Sequence, residues 1–181
     1  MKIGYMGIEG SFSQEASIAM ESRAELIPLV SAQNVVDALK SEEIDFGVLA
    51  KVNSTAGEVT ETKEALKNID YSIVKEYDLP IHHCVYIRQD KSLEDIHAIA
   101  SHEQALNQTI QSREKLFKGL TVIEVEDTAL SAKKLSEGSL DENTAIICSK
   151  VAGEIFHLKL VYENIEDKKD NTTHFIMIKN F

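Results

Sequence analysis

An α/β fold with mostly parallel sheets is what this sequence predicts, and three observations predict it. Short apolar runs recur along the chain, each followed by a polar turn and then by apolar residues at helical spacing. The turns place Ser, Thr, Asn and His directly after these buried-looking runs, where open α/β sheets tend to put ligand-binding groups. No internal repeat, coiled-coil heptad or low-complexity tract interrupts the alternation of strand and helix.

In order, Lys2 to Met6 reads as a strand, and Gly7-Ile8-Glu9-Gly10-Ser11-Phe12-Ser13 as the turn that ends it. Gln14 to Ser22 then has helical spacing through Ala16, Ile18, Ala19 and Met20, with Ser11 or Ser13 as N-cap. Free N–H groups at such a helix start suit an anion, although the spacing is not GxGxxG and a tight connection accounts for the turn equally well. Leu26 to Val30 is a second strand, and Ser31 to Asn34 caps a helix carrying Val35, Val36, Ala38 and Leu39. Asp45 to Ala50 is a third strand, emptying into the polar loop Lys51-Val52-Asn53-Ser54-Thr55-Ala56-Gly57. A helix about Val59 to Lys67 and a strand about Tyr71 to Glu76 follow.

Asp78-Leu79-Pro80 punctuates the chain and is expected to mark the crossing into a second lobe. Residues 1–78 with 170–181 would form lobe one, and 79–169 lobe two, with a cleft where their polar strand ends meet. His82 to Arg88 reads as a strand, Leu93-Glu94-Asp95 as a turn, and His97 to Ala100 as a short strand. Ser101 would cap a helix running to about Phe117; Leu120 to Val125 is a strand, and Asp127 or Thr128 caps the next helix. Thr144 to Cys148 is a strand, Ser149 to Phe156 a helix, and Leu160 to Tyr162 a short extended piece. Glu163 to Asp170 is charged and reads as a solvated crossing back. The chain then reaches Asn171-Thr172-Thr173-His174-Phe175 and a last buried strand through Ile176-Met177-Ile178. Those Asn and Thr side chains could serve a ligand, or could bond only their own backbone.

The 181 residues are 43% hydrophobic and 27% charged, an ordinary globular mixture. A net charge of −11 argues against duplex DNA and anionic membrane as partners. An anionic metabolite would therefore need concentrated local donors. Cys84 and Cys148 lie far apart, without a CxxC pair, and read as small buried hydrophobes. No apolar run approaches the ~20 residues of a membrane span. The expectation is a reduced, cytoplasmic protein.

The strand-end groups are Ser11, Ser13, Asn53, Ser54, Thr55, Ser101, His102, Thr128, Thr172, Thr173 and His174. They are rich in hydroxyls, amides and imidazoles and poor in carboxylates, so a carboxylate-pair mechanism is not suggested. The histidines are scattered, which disfavours a metal site, and no GxSxG elbow supports a nucleophilic serine. Neutral donors and helix starts suit a polar, anionic small molecule.

Several of these segments together resemble the prephenate dehydratase family. Gly7-Ile8-Glu9-Gly10-Ser11-Phe12-Ser13 is similar to its G-x-x-G-S-F-S segment, and Asp45-Phe46-Gly47-Val48 with Asn53-Ser54-Thr55-Ala56-Gly57 to its D-x-G-V … E-N-S-x-x-G loop. Leu79-Pro80-Ile81-His82-His83-Cys84, Ser101-His102-Glu103-Gln104-Ala105-Leu106, and Ile165-Glu166-Asp167 with Asn171, Thr173 and Phe175 resemble further segments, in family order. The resemblance implies a two-lobed fold like type-II periplasmic binding proteins, its lobes together making one catalytic domain. It also implies prephenate bound in the cleft, loss of water and carbon dioxide to give phenylpyruvate, no cofactor or metal, and a homodimer. Thr173 falls on the family's catalytic threonine. Substrate binding would draw on Ser11, Asn53, Ser54, Ser101, His102, Gln104, Thr172 and His174.

Three features depart from the family pattern. His174 stands where the family has Arg, so a planar two-pronged donor is lost. Val52 replaces the glutamate of the E-N-S segment, and Lys51 beside it could supply a cation on Asn53's face or be a solvated lysine. The family's phenylalanine-sensing ACT domain is expected to be missing, and phenylalanine inhibition with it. The altered His174 leaves a non-aromatising prephenate decarboxylase, or a catalytically silent binding module, as alternatives; prephenate and arogenate are not distinguished.

Overall fold

Residues Lys2–Tyr5 (β1) alternate between two apolar layers: Ile3 and Tyr5 are buried on one face, while Gly4 leaves room on the other for Ile44 and Leu29. In the computed structural model, which describes residues 1–180, the chain divides into two units. One comprises Met1–Ile81 and the described residues from Asp170 on; the other is His82–Lys169. The expected boundary after residue 78 moves to Ile81, because the strand Tyr71–Pro80 (β5) stays paired with the last strand as far as Pro80. Pro80 is tolerated because β5 lies at a sheet edge.

In the first unit, Glu25–Pro28 (β2), β1, Phe46–Asn53 (β3), Thr172–Asn180 (β11) and β5 lie in the order β2-β1-β3-β11-β5, with Gly57–Glu58 (β4) hairpinned onto β3. β1 pairs in parallel with β2 and β3, whereas β11 is antiparallel to both neighbours. The sheet is therefore mixed rather than mostly parallel. The crossover helices produce the parallel part, and the returning C-terminal strand enters from the opposite direction. Helix α1 (Phe12–Met20) covers the face of Ile3, Tyr5, Val48, Phe175 and Met177; α2 (Ala32–Lys40) and α3 (Thr60–Ala65) lie with the other, where Leu49, Ile176 and Ile178 are buried.

The second unit holds a five-stranded mixed sheet in the order β10-β6-β9-β7-β8: Lys159–Tyr162 (β10), Cys84–Ile87 (β6), Thr144–Cys148 (β9), Ala98–Ser101 (β7) and Thr121–Glu124 (β8). Ser101 does not cap a helix. It ends β7, fully buried, and donates to the Ile147 carbonyl at 2.6 Å, while His102 takes the cap by accepting the Gln104 N–H. The single helix expected to Phe117 is two, α4 (Glu103–Asn107) and α5 (Ile110–Leu116). Thr109 bonds back to the Ala105 carbonyl, and Asp167 accepts the Gln111 and Ser112 N–H groups, starting a new helix from more than fifty residues away. Helices α6 (Thr128–Ser136) and α7 (Lys150–Ile155) are capped by Asp127 and Ser149.

The segment from 163 to 170 is likewise not a simple solvated crossing. Ile165 and Glu166 are buried, and the Glu166 carboxylate accepts from the His82 imidazole and the His83 N–H, both at 3.0 Å. Burial works to raise this carboxyl, but the His82 and His83 hydrogen bonds outweigh it and hold it below the usual glutamate range. Cys84 and Cys148 are buried thiols at paired positions of β6 and β9.

Both the close packing and the buried carboxylate can be tested. A Cβ at Gly153 would run into the Tyr86 ring, so Gly153→Ala is expected to cost about 2 kcal/mol, read as a fall of roughly 4–8 °C in Tm. Glu166 has a depressed folded pKa, so its contribution is complete above the unfolded carboxyl's value of about 4.3 and disappears as pH falls through the folded value. Melting curves between pH 7 and 3 should show Glu166→Gln less stable at neutral pH, with the gap to the unaltered protein closing in acid.

Candidate functional site

The loop after β3 and the start of β11 meet through one side chain. Asn53 and Thr173 are register partners across the antiparallel pair, so both side chains leave the same face of the sheet, the face covered by α1. The Asn53 oxygen accepts the Thr55 and Ala56 N–H groups at 3.0 and 2.9 Å and the Thr55 hydroxyl at 2.7 Å, closing the loop on itself. With the oxygen so committed, the amide nitrogen points to β11. It donates to Thr173 Oγ1 at 2.8 Å, Asn171 Oδ1 at 2.9 Å and the Thr172 carbonyl at 3.3 Å. Ser54 completes the seam: its N–H donates to the Thr172 carbonyl, and its hydroxyl accepts the Thr172 N–H at 2.9 Å and donates to the Asp170 carbonyl at 3.1 Å.

This cluster is buried at its base. Asn53, Asn171 and Thr173 are 4, 3 and 8% exposed, and Ser54 lies at the surface. Thr173 receives a hydrogen bond from Asn53, and its own hydroxyl hydrogen has no acceptor among the described residues. The arrangement offers an oriented O–H donor where β11 begins, at one end of the sheet's strands, with an amide behind its oxygen to stabilise negative charge there.

Ser11 follows β1 at the end of the sheet where β3 finishes and β11 begins, as N-cap of α1, the helix that covers the Thr173 face. Its hydroxyl accepts the Gln14 N–H at 3.3 Å, and the Gln14 side chain accepts the Gly10 N–H at 2.7 Å. Gly7 makes the turn feasible: its φ is +103°, and a Cβ there would stand 2.8 Å from Ser11 Oγ. Beneath the turn, burial followed by the charge of Glu9 pushes the Tyr5 phenol up to about 12, so it stays a neutral hydroxyl.

Two expected members are placed differently. His174 leaves β11 on the face opposite Thr173 and is flanked by carboxylates of β5, with Nδ1 2.7 Å from Asp78 and Nε2 3.5 Å from Glu76. Strand alternation requires this: neighbours in a regular strand cannot share a face. Lys51 does not join Asn53. The β3–β11 register passes from Ala50–Phe175 to Val52–His174, leaving Lys51 as the extra residue of a bulge, so the alternation that would have put it on Asn53's side is broken. It is exposed. In the second unit, Ser101 is committed to Ile147, His102 is a half-buried cap, and Gln104 lies on the exposed side of α4. Asn171 and Thr55 are named among the polar strand-end residues of the sequence, without a bond to Asn53. Thr55 reaches Asn53 within their own loop, whereas Asn171 is brought in by the register of β11 on β3, which no local pattern encodes.

Among the described residues no group of three His, Cys, Asp or Glu is placed to hold a metal ion, and no helix is long and apolar enough to cross a membrane.

Comparison with known proteins gives a consistent kinship. The bifunctional chorismate mutase/prephenate dehydratase of Pseudomonas aeruginosa is 29% identical over 181 residues, 99% of this chain and 49% of that protein. Arogenate dehydratase/prephenate dehydratase 2 of Arabidopsis thaliana is 30% identical over 178 residues, 98% of this chain and 46% of the relative. The chain thus spans about half the length of the curated relatives it matches. The crystal structure of prephenate dehydratase in complex with L-Phe from Arthrobacter aurescens superposes with a TM-score of 0.93 at 24% identity, covering 100% of this chain and 61% of that one, and so shares the fold. The family profile of prephenate dehydratase matches residues 3–181, and this chain belongs to that family.

Proposed function

We propose that this chain acts as a prephenate dehydratase, removing water and carbon dioxide from prephenate to give phenylpyruvate. The observation that carries the reading is the Asn53–Thr173 hydrogen bond at 2.8 Å, which orients a buried threonine with its O–H available to a bound molecule. Departure of the ring hydroxyl leaves electron density on oxygen. The Thr173 hydroxyl donates to that oxygen as the C–O bond breaks, and the Asn53 amide stabilises the charge passed back to Thr173 Oγ1. The carboxylate leaves as carbon dioxide and its bonding pair enters the ring; the departing hydroxide takes the Thr173 proton to become water, and Thr173 regains a proton from solvent. Aromatisation supplies the driving force, so the protein's work is orientation and one hydrogen bond to the leaving group.

Family membership, and the resemblance of the Asn53 loop and the Asn171–Phe175 segment to family signatures, support the same reading. Ser11 and Ser54 belong to it as groups around the Thr173 end of the sheet; Thr172 serves through its backbone groups, since its side chain, like that of His174, leaves β11 on the other face, and Lys51 is an exposed bulge residue. The proposal includes a cytoplasmic homodimer. Two buried cysteines in thiol form suit a reducing compartment, and the dimer is carried over from the family resemblance.

Incubation with prephenate, following phenylpyruvate absorbance and carbon dioxide release, tests the reading, with arogenate as a parallel substrate. Both products are expected from prephenate; carbon dioxide without phenylpyruvate would indicate a non-aromatising enzyme. Thr173→Val keeps the shape and removes the hydroxyl, and should lower kcat by about 10²- to 10⁴-fold with an unchanged circular dichroism spectrum. Lys51→Ala and His174→Ala should both leave KM within about twofold, since His174 lies on the face opposite Thr173 and Lys51 is an exposed bulge residue outside the Asn53–Thr173 hydrogen bonds.

A further inference from the structure

Tyr5 is one of the largest fully buried side chains, at 1% exposure, and its phenol oxygen has no hydrogen-bond partner among the described residues. A buried phenol nearly always finds a partner, and a ring needed only to fill a core could be phenylalanine. The oxygen is not sealed from solvent either, so the little of Tyr5 that is accessible includes its polar tip. Burial, then the charge of Glu9, keeps that tip protonated, and it meets an anion as a donor.

A second hydroxyl is left open on the same face. The residues that α1 turns inward are Ser13, Ala16, Ser17 and Met20, a stripe at helical spacing. Ala16 and Met20 pack with Tyr5, Val48 and Phe175 in one buried cluster, so the stripe lies over the face from which Thr173 also leaves the sheet. Ser13 begins the stripe, in the first turn of the helix, just beyond the turn that ends β1. It is 7% exposed, and Ser17 donates to its carbonyl at 2.7 Å. Its own hydroxyl has no partner among the described residues and is not sealed. A helix start favours an anion, and here two nearly buried donors stand by it without acceptors. β1 and β11 flank β3, two strand spacings or about 10 Å apart. A ligand with one end at Thr173 would reach across β3 with its other end.

We infer that Tyr5 and Ser13 form a carboxylate subsite at the start of α1, their hydroxyls donating to the side-chain carboxylate of a prephenate whose ring hydroxyl lies at Thr173. This rests on the dehydratase reading above. Prephenate carries its ring hydroxyl at one end of the ring and both carboxylates at the other, which matches the placement of the two groups. Of the two carboxylates, the one held is the one kept in phenylpyruvate. Donors on the other would stabilise the very charge that has to leave as carbon dioxide. The subsite therefore serves binding rather than the chemical step, and gives a chain of net charge −11 a local hold on an anion.

Tyr5→Phe and Ser13→Ala each remove one hydroxyl and leave the surrounding packing in place. In each variant the KM for prephenate and the inhibition constant of phenylpyruvate should rise together, about tenfold, with kcat altered less than threefold, as for the loss of one hydrogen bond to a charged group. Neither variant should melt below the parent, since neither hydroxyl is bonded within the described protein. Both constants within twofold of the parent would overturn the inference and leave the dehydratase reading intact. A KM rise with an unchanged phenylpyruvate constant would overturn it too, and so would a lower melting temperature, which marks a structural hydroxyl. A parent protein that does not turn over prephenate removes the reading and this inference together.

Discussion

One side chain carries the first unit's polar edge. Asn53 must accept on one side, to close its own loop through Thr55 and Ala56, and donate on the other, to reach Asn171 and Thr173. Only a carboxamide does both from one position: a carboxylate of the same shape could not donate, and a hydroxyl could not span the gap. Because the group is buried, each unmet bond would carry a desolvation penalty, so the loop, the strand pair and the threonine are fixed together or not at all. The orientation of the Thr173 hydroxyl is thus set by the short loop that follows β3.

The same constraint separates what the sequence reveals of the site from what it hides. Asn53, Ser54, Thr172 and Thr173 stand out because polar residues bordering a buried run mark a strand end, where side chains can meet a ligand. The faces they occupy are another matter. Alternation predicts a shared face for Lys51 and Asn53, and one unpaired residue in the register, Lys51 itself, breaks that alternation. His174 adjoins the threonine along the chain, and that adjacency is what sends it behind the sheet. Sequence order gives proximity along the chain; sheet registry decides proximity in space.

The helix cap and the crossing that differ from expectation share a cause. Ser101 looks like an N-cap because a hydroxyl follows a strand and precedes a helix, yet the strand runs one residue further and buries it. Glu166 and Asp167 look solvated because lysines and acids surround them. Their carboxylates are instead committed to His82, His83, Gln111 and Ser112, groups far away in the sequence. Strands, helices and their order are plain in the sequence, since periodicity is local. The mixed pairing of both sheets is not, because strand direction depends on which way the chain returns.

The place of β11 has a consequence for how the molecule is made. It is synthesised after every other strand of the first unit, yet it lies inside that unit's sheet, flanked by β3 and β5. Until it arrives, both neighbours present unpaired backbone toward an empty slot, each able to bond a strand from another nascent chain. The second unit, continuous in sequence, can condense earlier. A ribosome that stalls before Thr172 would leave one finished half and one that is open at its middle, a natural target for chaperones and for degradation.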